Sequence, residues 1–176
     1  MNNKTITIFG SSLPNESSEE FNFAYELGKQ LAKNNFNVCT GGYRGIMHAV
    51  SKGAVEAGAE AIGVTVDLWG IKPSEYLTKG IKCDTLFERI NKLIELGDAF
   101  IVLQGGTGTL LELAVAWELI NKKLLQTKPI ICHSPMWKEI TTIMEKQIQK
   151  EGRQTGLVKN ADSIEGIISH LINKLK

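Results

Sequence analysis

The segment Gln104-Gly-Gly-Thr-Gly-Thr-Leu-Leu-Glu112 holds the densest concentration of chemistry in the chain. Glycines let a backbone approach an anion closely and adopt positive φ. A helix expected to start at Leu110 adds free N–H groups and the positive end of its dipole. Thr107 and Thr109 contribute hydroxyl donors, so Gly105, Gly106, Thr107, Gly108 and Thr109 form a candidate phosphate cradle. No Lys-Ser/Thr pair follows the glycines, so this is not a P-loop, and Leu111 stands where GxGxxG needs its third glycine. A plain strand-to-helix turn fits the same residues.

Glu112 lies about one turn beyond the cradle, on a helix that is apolar nearly all round and therefore expected to be buried on several sides. A carboxylate there can do chemistry beside a bound phosphate. It can equally close a capping box, because Thr109-Leu-Leu-Glu112 has that pattern. Arg89 lies at the margin of an apolar stripe made by Leu86, Phe87, Ile90, Leu93 and Ile94, away from the charged cluster Glu88, Lys92 and Glu95. It can enter a cleft or lie along the surface with its stem covered; spacing alone favours the surface slightly.

Further glycines fall at other strand ends. Gly10 and Ser11 follow one β-rich run, and Gly41 and Gly42 follow a second. Arg44, between Gly42 and Gly45, faces either an anion or water. Trp69 or Tyr76 can line a pocket or pack. Asp98, at the start of a strand, suits a turn cap. His48, His133 and His170 have no ligand spacing, so neither a metal nor a cofactor is expected.

These residues need a scaffold that brings strand ends together. Strands are expected over residues 5–9, 36–40, 59–66, 80–83, 99–103 and 128–132. Helices are expected over 18–35, 46–58, 84–96, 110–122, 137–150 and 163–175, with an irregular stretch at 67–79 and a polar loop at 151–156. Alternating strands and helices specify an α/β fold, a doubly wound, mainly parallel sheet with helices on both faces. In such a sheet ligands bind outside the carboxyl ends of the strands, where strand order reverses. All the glycine turns fall at such ends.

Composition narrows the classes. The chain has 176 residues, 43% hydrophobic, which suits a single domain over 1–176. Twenty Lys+Arg against 19 Asp+Glu leave a net charge of +1, so no nucleic-acid partner is expected. No apolar run reaches membrane-spanning length, and Met1-Asn-Asn-Lys-Thr has no signal-peptide core. Cys39, Cys83 and Cys132 form no CxxC pair and read as core residues, in keeping with a reducing, cytoplasmic setting.

Several of these segments together resemble a known family. Gly41-Gly-Tyr-Arg-Gly-Ile-Met47 resembles its GGxxGLM turn, Gln104 to Glu112 resembles its PGGxGTxxE signature, and Arg89 sits at the family's distance before the Asp98-Ala-Phe strand. The chain thus resembles the LOG (LONELY GUY) family from about Ile6 through the Pro129 strand. Gln104 replaces the signature proline, Ile90 stands at a usual lysine, and Val115 at a second acidic position.

The resemblance implies a Rossmann-like fold, a homodimer, and hydrolysis of the N-glycosidic bond of a nucleoside 5′-monophosphate to a free base and ribose 5-phosphate. By position it makes Arg89 and Glu112 the catalytic pair and residues 105–109 the phosphate-binding turn. Gly10, Ser11, Gly41 and Gly42 complete the expected substrate-binding set. A related group in the superfamily carries the molybdenum cofactor, so a non-hydrolytic binding protein for a phosphorylated small molecule is the alternative.

Overall fold

A computed structural model describes residues 3–66 and 70–175 of the chain. The elements run β1 (Lys4–Phe9), α1 (Glu19–Lys33), β2 (Phe36–Thr40), α2 (Ile46–Glu56), β3 (Ala61–Val66), β4 (Lys79–Cys83) and α3 (Leu86–Leu96). They continue with β5 (Ala99–Val102), α4 (Thr107–Asn121), β6 (Ile130–Cys132), α5 (Pro135–Lys150), β7 (Val158–Asn160) and α6 (Ile164–Leu175).

The strands form a seven-stranded sheet in the order β4-β3-β2-β1-β5-β6-β7, and every pairing is parallel. The chain winds outward from β1 to β4, then returns to build β5, β6 and β7 on the other side. Strand order therefore reverses between β1 and β5, which opens a crevice at their carboxyl ends. The loop after β1 carries Gly10 and Ser11, and the loop after β5 carries the Gly105–Gly106 turn.

Side chains alternate across the strands, so each sheet face builds its own core. Ile6 and Ile8 of β1 pack with α1, α2 and α6, while Phe9 packs with Phe100, α3, α4 and α5 on the opposite face. The polar Thr7 on that second face is satisfied by donating to the Leu93 carbonyl at 2.9 Å.

Local signals set most helix ends. The Ser18 hydroxyl accepts from Phe21 N–H at the start of α1, and Thr85 accepts from Glu88 N–H at the start of α3. Ser134 caps α5, with Pro135 at its first position, where a missing N–H costs nothing. Asn35, at φ 61°, turns the chain out of α1. Two glycines bring α1 and α2 into backbone contact: a Cβ on Gly28 would stand 2.3 Å from the Val50 carbonyl oxygen, and one on Gly53 2.0 Å from that of Tyr25.

Three expectations need correction. Strand β7 lies between the expected polar loop and the last helix, where no element was expected; three residues are too few to carry a periodic signal, and pairing with β6 is what makes them a strand. Helix α4 starts at Thr107 rather than Leu110, because Gly106 acts as its N-cap. Helix α5 starts at Pro135 rather than Trp137. Trp69 lies outside the described residues. Tyr76 sits edge-on against His48, with ring centroids 5.1 Å apart.

Candidate functional site

Arg89 is the first surprise of the site. It projects from α3 beneath the carboxyl ends of β2 and β3, and only 6% of the residue is exposed. Its Nε donates to the Val64 carbonyl at 2.8 Å, and its Nη2 to the Gly41 carbonyl at 3.2 Å. Its Nη1 lies 3.5 Å from Glu112 Oε1. The slight preference for a surface arginine is thus wrong: acceptors on β3 and in the turn after β2, invisible in the helical pattern, outweigh the desolvation of the guanidinium.

Gly41 makes this arrangement possible. A Cβ there would stand 1.7 Å from Arg89 Nη2, inside the guanidinium, so only glycine leaves the path open. Tyr43 braces the other side. Its ring lies 5.8 Å from Arg89 Cζ, its hydroxyl donates to the Val66 carbonyl, and it accepts from Val66 N–H at 2.9 Å.

Glu112 does not close a capping box. With α4 starting at Thr107, Thr109 is already the third helical residue, and the Glu112 carboxylate turns toward Arg89. Burial pushes its pKa up from 4.5 to about 7, and the Arg89 charge offsets only part of that. A buried carboxyl poised near neutrality, facing a cleft, is typical of groups that move protons.

Above this pair opens a cleft of about 870 Å³. It is lined by Gly10, Ser11, Gly41, Arg89, Gly106, Thr107, Gly108, Thr109 and Glu112, so nine of the expected site residues share one hollow. The amides of residues 107–109 precede the first intrahelical bond, which runs from Leu110 N–H to the Gly106 carbonyl at 3.0 Å. Ser11 ties the walls together, since its N–H donates to the Gln104 carbonyl and its own carbonyl accepts from Ile46 N–H, both at 2.9 Å.

Two expected residues stand elsewhere. Gly42 does not line the cleft; at φ 76° it supplies the bend, and its carbonyl accepts from Ser74 N–H at 2.8 Å. Gly105 lines a neighbouring hollow of about 480 Å³, and a Cβ on it would stand 2.1 Å from Thr109 Oγ1. Sequence reasoning missed Leu13, Met47, Ile71 and Lys72 as lining residues. An aromatic inside the GGxxG turn was the one available signal for Tyr43. Asp98 does act as a local anchor, accepting from Thr5 N–H and Lys4 Nζ. Among the described residues, no group of three or more His, Cys, Asp or Glu could hold a metal ion, and no helix is long and apolar enough to cross a membrane.

A doubly wound parallel sheet with a glycine turn and a buried Arg–Glu pair at its switch point defines a Rossmann-like protein of the LOG type. The chain belongs to the SLOG cluster4 family, whose sequence model matches residues 3–168. It is 28% identical over 134 residues to a cytokinin riboside 5′-monophosphate phosphoribohydrolase of Rhodococcoides fascians, covering 73% of this chain and 66% of the relative. It is 32% identical over 116 residues to a protein of the same name from Mycobacterium tuberculosis, covering 64% and 62%. The chain thus spans just under two thirds of the length of these relatives.

Among solved structures, the molybdenum cofactor carrier protein of Chlamydomonas reinhardtii superposes with a TM-score of 0.76 at 26% identity, covering 97% of both chains. The molybdenum cofactor binding protein of Rippkaea orientalis superposes with a TM-score of 0.79 at 23% identity, covering 98% of both, which speaks to the fold.

Proposed function

We propose that this chain hydrolyses the N-glycosidic bond of a nucleoside 5′-monophosphate, releasing a free base and ribose 5-phosphate. The observation that carries the reading is Glu112, a buried carboxyl with a pKa of about 7 that faces the cleft beside Arg89 and one turn from the open amides of α4. The phosphate sits on those amides and the positive end of the helix dipole. Glycosidic cleavage builds positive charge on the ribose, and an adjacent carboxylate lowers that barrier. The same carboxylate takes the proton of the attacking water. Arg89 keeps Glu112 oriented and available as an anion, and offers charge-assisted hydrogen bonds to the ribose phosphate. The relatives named as phosphoribohydrolases support the same chemistry.

The test is chromatography of AMP after incubation with the protein, with Glu112→Ala as control. Adenine released by wild type and lost in the variant is the expected result; no adenine from either refutes the hydrolase. A second reading, a binding protein that holds a phosphorylated ligand without cleaving it, has its own support: the Chlamydomonas carrier matches this chain nearly end to end. Thermal stabilisation by a phosphorylated ligand without base release would select it.

The reading includes a homodimer. The outer face of α4 presents exposed Leu110 and Ala114 beside half-buried Leu111 and Val115, an apolar stripe suited to a two-fold contact.

A further inference from the structure

Two cations of the cleft have no part in the cleavage chemistry proposed above. Arg89 is answered by Glu112. Arg44 and Lys72 line the same cleft, and neither forms an ion pair or hydrogen bond with any described residue. No other carboxylate lines it among the described residues.

The backbone holds these two cations on one rim. Gly42 and Gly45, at φ 76° and 64°, bend the turn that carries Arg44. The turn is closed on one side by Gly42 N–H donating to Thr40 Oγ1 at 3.1 Å. On the other, Ile46 N–H donates to the Ser11 carbonyl at 2.9 Å. The segment carrying Lys72 is pinned to that same turn: Ser74 N–H donates to the Gly42 carbonyl at 2.8 Å, and Ser74 Oγ lies 3.0 Å from His48 Nδ1. Arg44 and Lys72 therefore stand on adjoining, mutually tethered backbones and line the same cleft as residues 106–109 at the start of α4.

A nucleoside monophosphate has one phosphate, and the α4 terminus takes it. The hollow, at about 870 Å³, lies toward the upper end of small-ligand pockets and leaves space beyond such a molecule. We propose that Arg44 and Lys72 form a second anion subsite, and that the preferred ligand is a nucleotide bearing a second phosphate group. The proposal rests on the assignment of the first phosphate to residues 106–109. Arg44 supplies a fork of donors and Lys72 a point charge. Both are exposed, so the preference they create is screened by salt.

The test is calorimetric titration of the full chain with AMP, ADP and adenosine 3′,5′-bisphosphate at about 50 mM and about 500 mM salt. At low salt one of the two doubly phosphorylated ligands should bind about tenfold more tightly than AMP, the scale of exposed charge-assisted contacts to phosphate. That ratio should fall toward one in the Arg44→Gln/Lys72→Gln double variant, and should shrink at high salt. Preference for ADP places the second phosphate on the 5′ chain; preference for the bisphosphate places it on the ribose. Equal affinity for all three ligands, or a preference that survives in the double variant, overturns the proposal. Adenine release from AMP is read separately. Release without any preference refutes the second subsite alone, and preference without release refutes the hydrolase alone. Failure of every nucleotide to bind overturns both.

Discussion

Glu112 should make the stability of this protein fall as pH rises through neutrality. Its carboxyl titrates near 4.5 when exposed and at about 7 in the folded chain, because burial penalises the anion more than Arg89 favours it. Between those two values the folded state binds a proton that the unfolded state has released. Stability contributed by the protonated form is therefore complete below 4.5 and lost progressively up to about 7. At about 1.4 kcal/mol per pH unit, the interval comes to about 3 kcal/mol, most of it between pH 5 and pH 8. Urea unfolding of wild type and Glu112→Gln at each pH isolates the effect. Glutamine does not titrate, so its other costs, including the weakened hold on Arg89, are the same at every pH. The variant should gain about 2 to 3 kcal/mol relative to wild type from pH 5 to pH 8. Two stability curves that run parallel across that range would refute a raised Glu112 pKa, and with it the idea of a carboxyl held ready for proton transfer.

Gly41→Ala should displace the Arg89 guanidinium, because its Cβ would stand 1.7 Å from Nη2; base release should be lost and unfolding should shift by about 1–3 kcal/mol, both read on the purified variant. Arg89→Met should move the acid limb of the pH–rate profile upward, since Arg89 lowers the Glu112 pKa; a limb that stays in place would separate the two residues. Ala114→Arg, on the outer face of α4, should convert a dimer to monomer in sedimentation, and a wild type that is monomeric at micromolar concentration would remove the apolar stripe as an interface.

The strand–helix alternation and the glycine-marked strand ends are local features, and the sequence displays them directly. The starts of α1 and α3, capped by Ser18 and Thr85, fall within two residues of the expected ones for the same reason. What was hidden depends on partners far away in the chain. Arg89 is bound by carbonyls 25 and 48 residues distant, and its helix pattern records only which neighbours are apolar. The Thr109–Glu112 spacing suggested a cap because the pattern does not say where the helix begins; Gly106 decides that. Strand β7 exists through its pairing with β6, and three residues could not announce it. The gathering of residues 10, 11, 41 and 106–109 was inferable from the parallel sheet, whereas Leu13, Ile71 and Lys72 come from loops with no periodic signature.

The glycine contact between α1 and α2 has a mechanical consequence. At Gly28 against Val50 and Gly53 against Tyr25, the two helices meet main chain to glycine, and no rotamer change can absorb an added atom there. A methyl group at either position becomes a wedge whose thrust travels along α2 as along a lever. The other end of that lever is Ile46, whose side chain lies so close beneath Gly10 that a Cβ there would stand 2.5 Å from it, and whose amide holds the Ser11 carbonyl. A substitution on the far flank of the molecule should therefore register as altered ligand affinity as well as lost stability.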